Sequence, residues 1–358
     1  MLSSRTLAIG RVSLEVRQGI ELWLHGLIVL ASIVVGLGIS VLLLVISGID
    51  VSNIFEEFIV FTFFDSAGLA DVLLEWAPLI LVGLSAAVAF RVQFWNIGIE
   101  GQFVWGAIGT TVVMIYDIGP GWSQIYLMFL GGIIGGMAWI AVPAFLRLRL
   151  QVNEIISTLL LNYIAALFVL NQLFGAWQDP AAVYYKTAQF AAYQRLPLIG
   201  WGQIHVGLFI AIAAAFIVWL VTERSRFGTY MKFVGSNPGM ALASGIPVTL
   251  TILVAVMLSG SLSGLGGYLV ASGQEYALTI YVAIGYGFSG IVIAFLARNN
   301  PAAVVVVSFL MAGLYVGGES IQVFYGLPEA LIGLIQSIIV ICVVGSEFFV
   351  RYRVRWMR

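Results

Sequence analysis

The stretch QIYLMFLGGIIGGMAWIAVPAFL, residues 124–146, runs 23 residues without a charge and stops against Arg147 and Arg149. A helix needs about 20 mostly apolar residues to cross a bilayer, so this stretch reads as one crossing. Nine further segments carry the same signature, near 23–47, 73–90, 97–116, 155–175, 203–222, 249–272, 280–297, 301–317 and 329–350. The whole chain agrees, with 61% hydrophobic and only 9% charged residues, where a soluble domain carries roughly 25% charged. A soluble core cannot absorb that much apolar surface. The expectation is an all-α, polytopic membrane protein of about ten transmembrane helices, forming a single transmembrane domain over residues 1–358.

The charges orient it. Lysine and arginine concentrate in cytoplasmic loops. With the N-terminus inside, Arg5, Arg11, Arg17, Arg91, Arg147, Arg149, Arg224, Arg226, Lys232, Arg298, Arg351, Arg353, Arg355 and Arg358 are cytoplasmic. Only Lys186 and Arg195 fall outside. Both termini are then expected to be cytoplasmic. Asp50, Glu56, Glu57, Asp65 and Asp71 gather in the external segment 48–72, with Glu75 just beyond it. The two longest loops are the external stretch 176–202 and the cytoplasmic stretch 223–248. The polar start, Met1 to Glu21, shows no small-residue cleavage site before the first apolar run, which reads as a retained span.

Several chemistries find no support. The single cysteine, Cys342, excludes an intrachain disulfide and a cysteine metal site. The only lysines, Lys186 and Lys232, sit in no glycine-rich phosphate loop. His25 and His205 lie near span ends with no ligand spacing and read as interfacial. No serine, histidine and carboxylate set suggests hydrolysis, and a net charge of -1 names no nucleic-acid partner. Carriers driven by protons or sodium place carboxylates in the membrane, and Glu100 is the one plausible candidate. No cofactor is expected on this chain. Active transport would draw its energy from another subunit.

Three segments look functional. In RVQFWNIGIEGQF, residues 91–103, Asn96, Gly98 and Gly101 invite a break in the helix. The stretch from Arg91 to Asp117 would measure about 39 Å as a helix, more than a hydrocarbon core of about 30 Å. Non-helical backbone at that depth must be buried in protein or line a cavity. Glu100 should therefore face inward, held by Gln102, Asn96 or a backbone N–H; it is either an anchor or a gate. In QVNEIISTLLLNYIA, residues 151–165, Asn153 can cap a helix, Glu154 suits its positive end, and Asn162 lies deep enough to need a partner. Tyr163, with Tyr286 and Phe288, could offer aromatic faces to a solute or could simply pack. In the third segment, 223–246, Ser236 or Asn237 caps a short helix beginning at Pro238, and Gly245 stops it. Small residues crowd two spans: Gly131, Gly132, Gly135 and Gly136 in the fourth, and Gly260, Gly264, Gly266 and Gly267 with Ser259, Ser261 and Ser263 in the seventh. Such residues let helix backbones approach closely.

Together these segments resemble the permease superfamily of bacterial ABC importers that serves ribose, branched-chain amino acids and nucleosides. The resemblance rests on FWNIGIEGQ (94–102), NEIISTLLLNYIA (153–165), FGTYMKFVGSNPGMALASGI (227–246) and GYGFSGIVIAFLARNNP (285–301), which occur in the family's order. It is nearest the nucleoside branch, whose members work beside a basic-membrane-protein-type lipoprotein. Leu242 and Ala297 depart from the family's usual alanine and glycine. The resemblance implies a type II-like importer permease fold in the bacterial cytoplasmic membrane. It implies a second permease, the same or homologous, two cytoplasmic ABC ATPases carrying ATP and Mg, and an external solute-binding lipoprotein. Residues 223–248 would be the coupling loop, with Gly228, Gly235, Asn237, Pro238, Met240, Ala241, Leu242 and Gly245 at the ATPase contact. Asn96, Glu100, Gln102, Asn162, Tyr163, Tyr286 and Phe288 would line the path or gate. Gly98, Gly101, Asn153, Glu154, Gly264 and Gly267 would be structural. The solute would be a nucleoside, with a simple sugar as the alternative. A stand-alone secondary carrier leaves the capped loop helix unexplained, and an intramembrane enzyme lacks any catalytic set.

Overall fold

The computed structural model describes residues 6–9, 12–17, 21–282 and 285–356. Chain order is β1 (Thr6–Ile9), β2 (Val12–Val16), α1 (Leu22–Ile46), α2 (Val51–Phe55), α3 (Thr62–Phe64), α4 (Ser66–Arg91), α5 (Ile99–Ile115), α6 (Gly121–Leu150) and α7 (Glu154–Leu173). There follow α8 (Gly207–Trp219), α9 (Arg226–Ser236), α10 (Pro238–Ala243), α11 (Val248–Val270), α12 (Tyr286–Leu296), α13 (Pro301–Tyr325), α14 (Glu329–Arg351) and β3 (Tyr352–Trp356). Among the described residues, 8 helices are long and apolar enough to cross a membrane, and two apolar helices are shorter, Ile99–Ile115 and Ile280–Leu296. Each of the ten predicted segments coincides with one of these ten.

The chain divides into two compact units, Ser66–Gly313 and the pair Met1–Asp65 with Leu314–Arg358. In the larger, α4 is the central helix: every residue from Ala77 to Phe90 is buried. Its sequence is apolar all round, which suits a helix surrounded by others. Pro78 lies inside it and has no N–H, so the Leu74 carbonyl loses its helical donor. Gln274 Nε2 donates to that carbonyl at 3.2 Å. Around α4, helices α5, α6 and α11 cross at backbone distance. A Cβ on Gly106 would stand 2.2 Å from the Gly264 carbonyl oxygen, and one on Gly264 would stand 2.2 Å from that of Gly132. Gly267 meets the Phe103 carbonyl equally closely. The glycines of α6 and α11 thus do what their spacing implies, and α5 joins them through Gly106 and Gly109.

The loop 176–206 is held down by backbone pairing. Thr187 N donates to Leu278 O at 3.1 Å, Phe190 N to Tyr276 O at 2.7 Å and Leu196 N to Ser272 O at 2.9 Å. Within it Phe190, Thr187 and His205 are buried. His205, expected at the interface, is buried within the protein two residues before α8; His25's side chain lies outside the described residues.

The smaller unit adds a short sheet at the margin of an otherwise helical fold. Strands β1, β2 and β3 form an antiparallel sheet, pairing Val12 with Trp356 and Val16 with Tyr352. Ends that share a ladder lie on one side of any membrane. Arg5, Arg11 and Arg358 lie outside the described residues. In the same unit α1 packs on α14, where a Cβ on Gly36 would stand 3.0 Å from Ile339 Cα. The predicted external segment is itself helical, α2 and α3 being joined by a π-helical turn, Glu56–Phe61.

Candidate functional site

The connection between α4 and α5, residues 92–98, is not helical, and most of it is buried. A buried amide left unpaired costs about 1–3 kcal/mol. Backbone bonds satisfy part of the turn, Val92 N and Phe94 N donating to Ala89 O and Ile97 N to Trp95 O, and side chains supply further partners. Asn96 and Gln102 form a reciprocal amide pair, Asn96 Nδ2 donating to Gln102 Oε1 at 3.1 Å and Gln102 Nε2 to Asn96 Oδ1 at 2.8 Å. Asn96 Oδ1 also accepts from Gly98 N at 3.1 Å, and Asn96 Nδ2 also donates to Ser259 Oγ at 3.0 Å. Ser259 in turn meets Ser85 at 3.0 Å, and Ser263 Oγ donates to the Ile99 carbonyl at 2.7 Å.

From the other side α7 clamps the same turn. Thr158 Oγ1 accepts from Ile97 N at 3.2 Å, and Asn162 Nδ2 donates to Ile97 O at 2.8 Å. Asn162 Oδ1 takes the Gly101 N–H at 2.8 Å. Thr158 and Asn162 are one helical turn apart on one face. They pair with Ile97 as a neighbouring strand would. Gly98 and Gly101 allow the approach: a Cβ on either would stand within 3.0 Å of Thr158 or Asn162 atoms. At the foot of α7, Asn153 Oδ1 caps Ile155 N at 2.9 Å, and Glu154 meets Arg147 at 3.2 Å.

Because α5 starts late, it is short, and α12 is shorter still. Eleven residues rise about 17 Å. Gly290 of α12 lies against Val82 of α4, and Val82 stands about 14 Å before Arg91 along that helix. The N-terminus of α12 is a turn farther, about 19 Å from the level of Arg91 along the helix axis, well within the length of a hydrocarbon core of about 30 Å. It meets the N-terminus of α5 there. Glu100, only 6% exposed, sits in the first turn of α5, and its carboxylate accepts from Gly285 N at 2.8 Å and Gly287 N at 2.5 Å. One carboxylate thus faces the positive ends of two helices. Of the donors considered from sequence, the backbone holds it. A Cβ on Gly287 would stand 2.2 Å from Glu100 N, so only glycine admits this contact.

The three aromatic candidates do not come together. Tyr286 is buried, stacked on Phe103 at 5.1 Å, with its hydroxyl donating to Glu75 at 2.8 Å. It packs and offers no free face. Tyr163 is 64% exposed on α7, and Phe288 is part-exposed on α12.

In the loop 223–248, α10 is capped at both ends. Asn237 Oδ1 accepts from Met240 N at 3.0 Å, with Pro238 at the first helical position. Gly245 takes φ +78°, its N–H bonds Leu242 O, and Ile246 N bonds Ala241 O at 3.0 Å. This is the paired C-terminal bonding that a left-handed glycine permits. Met240 and Leu242 are 63% and 67% exposed, but Ala241 is 1% exposed. Ala241 was expected in the outward contact surface; the closing bond to Ile246 turns it into the loop's own interior instead. A shallow apolar depression of 540 Å³ lies beside Leu242, lined also by Pro238, Val248 and Leu250. Gly228 and Gly235 are close-contact positions: Cβ atoms there would stand 2.1 Å from the Thr222 and Arg91 carbonyl oxygens. Of the loop's basic residues, Lys232 pairs with Glu223 at 2.8 Å and Arg224 lies over the Trp219 ring at 5.2 Å.

Sequence reasoning missed Thr158, and it took Ser259 and Ser263 only as small packing residues, although Thr158 precedes Asn162 by one turn and Ser263 follows Ser259 by one. It also missed Arg91 as more than a topology marker. Arg91 Nη2 meets Glu223 Oε1 at 2.5 Å, Nε donates to Asn299 O at 2.8 Å, and Nη1 reaches Thr222 O at 3.4 Å.

Comparison with known proteins places these features. The family model described as branched-chain amino acid transport system / permease component matches residues 68–344. A glucose ABC transporter permease protein of Haloferax volcanii is 34% identical, the match covering 96% of this chain and 93% of that protein. A guanosine ABC transporter permease protein of Bacillus subtilis is 28% identical over 92% of this chain and 95% of its own length. A nucleoside ABC transporter permease protein of Lactococcus lactis is 26% identical over 88% and 89%.

Proposed function

This chain belongs to the family of permease components of branched-chain amino acid transport systems and is a multi-pass ABC transporter permease; from that premise we propose that it imports a nucleoside by alternating access across the cytoplasmic membrane of a bacterium. Both termini and the loop 223–248 face the cytoplasm in this reading. Two ABC ATPases bring ATP and Mg, a second permease completes the pathway, and an external lipoprotein delivers the solute. The whole chain acts as one membrane domain, and this chain itself holds no cofactor.

The observation that carries the ATPase dependence is α10. It is rigid because both ends are capped, and it presents Met240 and Leu242 outward beside an apolar depression. A carrier working alone has no use for such a knob on its arginine-rich end. The path would run by the meeting point of α5 and α12, where broken helices bring backbone groups within the length of the hydrocarbon core, as transport sites commonly do. The relatives named for guanosine and nucleosides support the cargo. The 34% identity to a glucose permease supports a simple sugar as the second reading.

The test is uptake into proteoliposomes holding the permease, its ATPase and its binding protein. Labelled guanosine should accumulate only with ATP, and a protonophore should leave uptake unchanged. Uptake without the ATPase would replace this reading with a secondary carrier. Accumulation of labelled glucose with guanosine ignored would favour the sugar.

A further inference from the structure

We propose that Arg91 and Glu223 form the positioning joint through which movement of α10 reaches the broken connection 92–98. The proposal rests on the permease reading above and names the residues that transmit its stroke. Begin at the loop. α9 ends at Ser236, and Asn237 both follows it and caps α10. No linker separates the two helices, so displacing α10 displaces α9. α9 is in backbone contact with two other elements. Gly235 lies against the Arg91 carbonyl at the end of α4, and Gly228 lies against the Thr222 carbonyl in the turn that follows α8. Lys232, on α9, holds one oxygen of Glu223, and Arg91 holds the other. The carboxylate therefore ties α9 to α4.

Arg91 then spreads the tie. Its side chain is 13% exposed. Besides Glu223 it donates to the Asn299 carbonyl, in the turn between α12 and α13, and reaches the Thr222 carbonyl. Thr222 and Glu223 lie in a π-helical turn, Leu220–Arg224. A planar guanidinium with several fixed donors sets orientation, which a lysine ammonium does not. Directly after Arg91 comes the connection, with Val92 and Phe94 buried, then Asn96 and Glu100. The far end of α12, the helix that Glu100 caps, stops at the Asn299 turn. Arg91 therefore stands at the start of the chain leading into α5, while its guanidinium holds the chain leading out of α12. Those are the two helices that meet at Glu100.

A bland alternative is a seal that merely holds three helix ends together. The two differ in what fails on mutation. A seal is needed for assembly; a joint is needed after assembly, when the ATPase moves. Gln93 is the exposed residue of the connection, and Cys342 is the only native cysteine. In a Cys342→Ser background, Gln93→Cys gives one maleimide target on the connection. Its labelling rate is measured in the permease–ATPase complex with and without ATP–vanadate trapping. In that parent the rate should change by about fivefold or more. Arg91→Gln and Glu223→Gln, each added to the parent, should still co-purify with the ATPase and still hydrolyse ATP, but the trapping-dependent change should vanish. A full change in both variants overturns the joint. Loss of the ATPase from both variants also overturns it, in favour of the seal. No change in the parent itself would overturn the joint together with the coupling of α10 to the ATPase on which it rests, which separates the two failures.

Discussion

The Glu100 carboxylate accepts the Gly287 amide at 2.5 Å, joining the first turn of α5 to the first turn of α12. With the second bond to Gly285 N it satisfies two orphan donors of a helix that begins inside the bundle. Each oxygen meets one backbone donor at the start of α12, and these bonds hold a buried carboxyl group between two helix ends.

Removing it should be costly. Glu100→Ala leaves two buried N–H groups without acceptors, at about 1–3 kcal/mol each. The variant should melt earlier in detergent and lose uptake. Glu100→Gln retains one acceptor oxygen and should fall between. Parental melting and uptake in Glu100→Ala would show that the α5–α12 junction does not depend on the carboxylate.

Asn162 tests the clamp on the opposite side. Asn162→Leu keeps the volume but strands the Ile97 carbonyl and the Gly101 amide, whereas after Thr158→Val Ile97 N still has its bond to Trp95 O at 3.1 Å. Asn162→Leu should therefore be the more destabilising, by about 1–3 kcal/mol. Equal thermal stability of the two variants would mean that the connection finds other partners.

His205 gives a pH dependence with a definite sign. It is 1% exposed, and burial pushes its imidazole down to about 4. Its Nδ1 accepts from Gly207 N at 3.1 Å, so the folded form is neutral. The unfolded chain, with a histidine pKa of about 6.5, binds the extra proton first. Stability from this residue is fully present above about pH 6.5 and is lost progressively as pH falls toward about 4, to a total of roughly 3 kcal/mol. Melting at pH 5 should be lower than at pH 7, and His205→Gln should flatten the difference. An unchanged slope in His205→Gln would assign the acid sensitivity elsewhere.

Orientation is tested by labelling. Ser66, Gln189 and Ser236 are all exposed. With Cys342 replaced, a cysteine at Ser66 or Gln189 should react with an impermeant maleimide in sealed cells, and one at Ser236 should not. Labelling at Ser236 reverses the topology and removes α10 from the ATPase side.

The apolar segments were legible because each is a continuous run long enough to cross lipid, and no tertiary partner is needed to see that. Caps were legible for the same local reason: Asn153, Asn237, Pro238 and Gly245 act within their own turn. What Glu100 binds was not, because Gly285 and Gly287 are remote in sequence and only packing brings them near. The inward turn of Ala241 was readable in principle. A six-residue helix is too short for periodicity, but a left-handed glycine stop pairs the third residue from its end with the one after the glycine, here Ala241 with Ile246. The small sheet was hidden by its charges. YRVRW alternates with period two, yet its arginines were counted only as markers of sidedness.

The most direct measurement of the ATPase contact concerns Leu242. A photo-reactive residue placed there in the intact complex should give an adduct with the ABC ATPase, and Leu242→Glu should insert normally while losing both the ATPase and uptake. Ala241→Glu should instead lower the amount of folded permease, since an unpaired charge would enter the loop's own interior. Adducts with lipid alone, together with a Leu242→Glu variant that keeps its ATPase and transports at the parental rate, would contradict the assignment of α10 as the element that couples this permease to ATP hydrolysis.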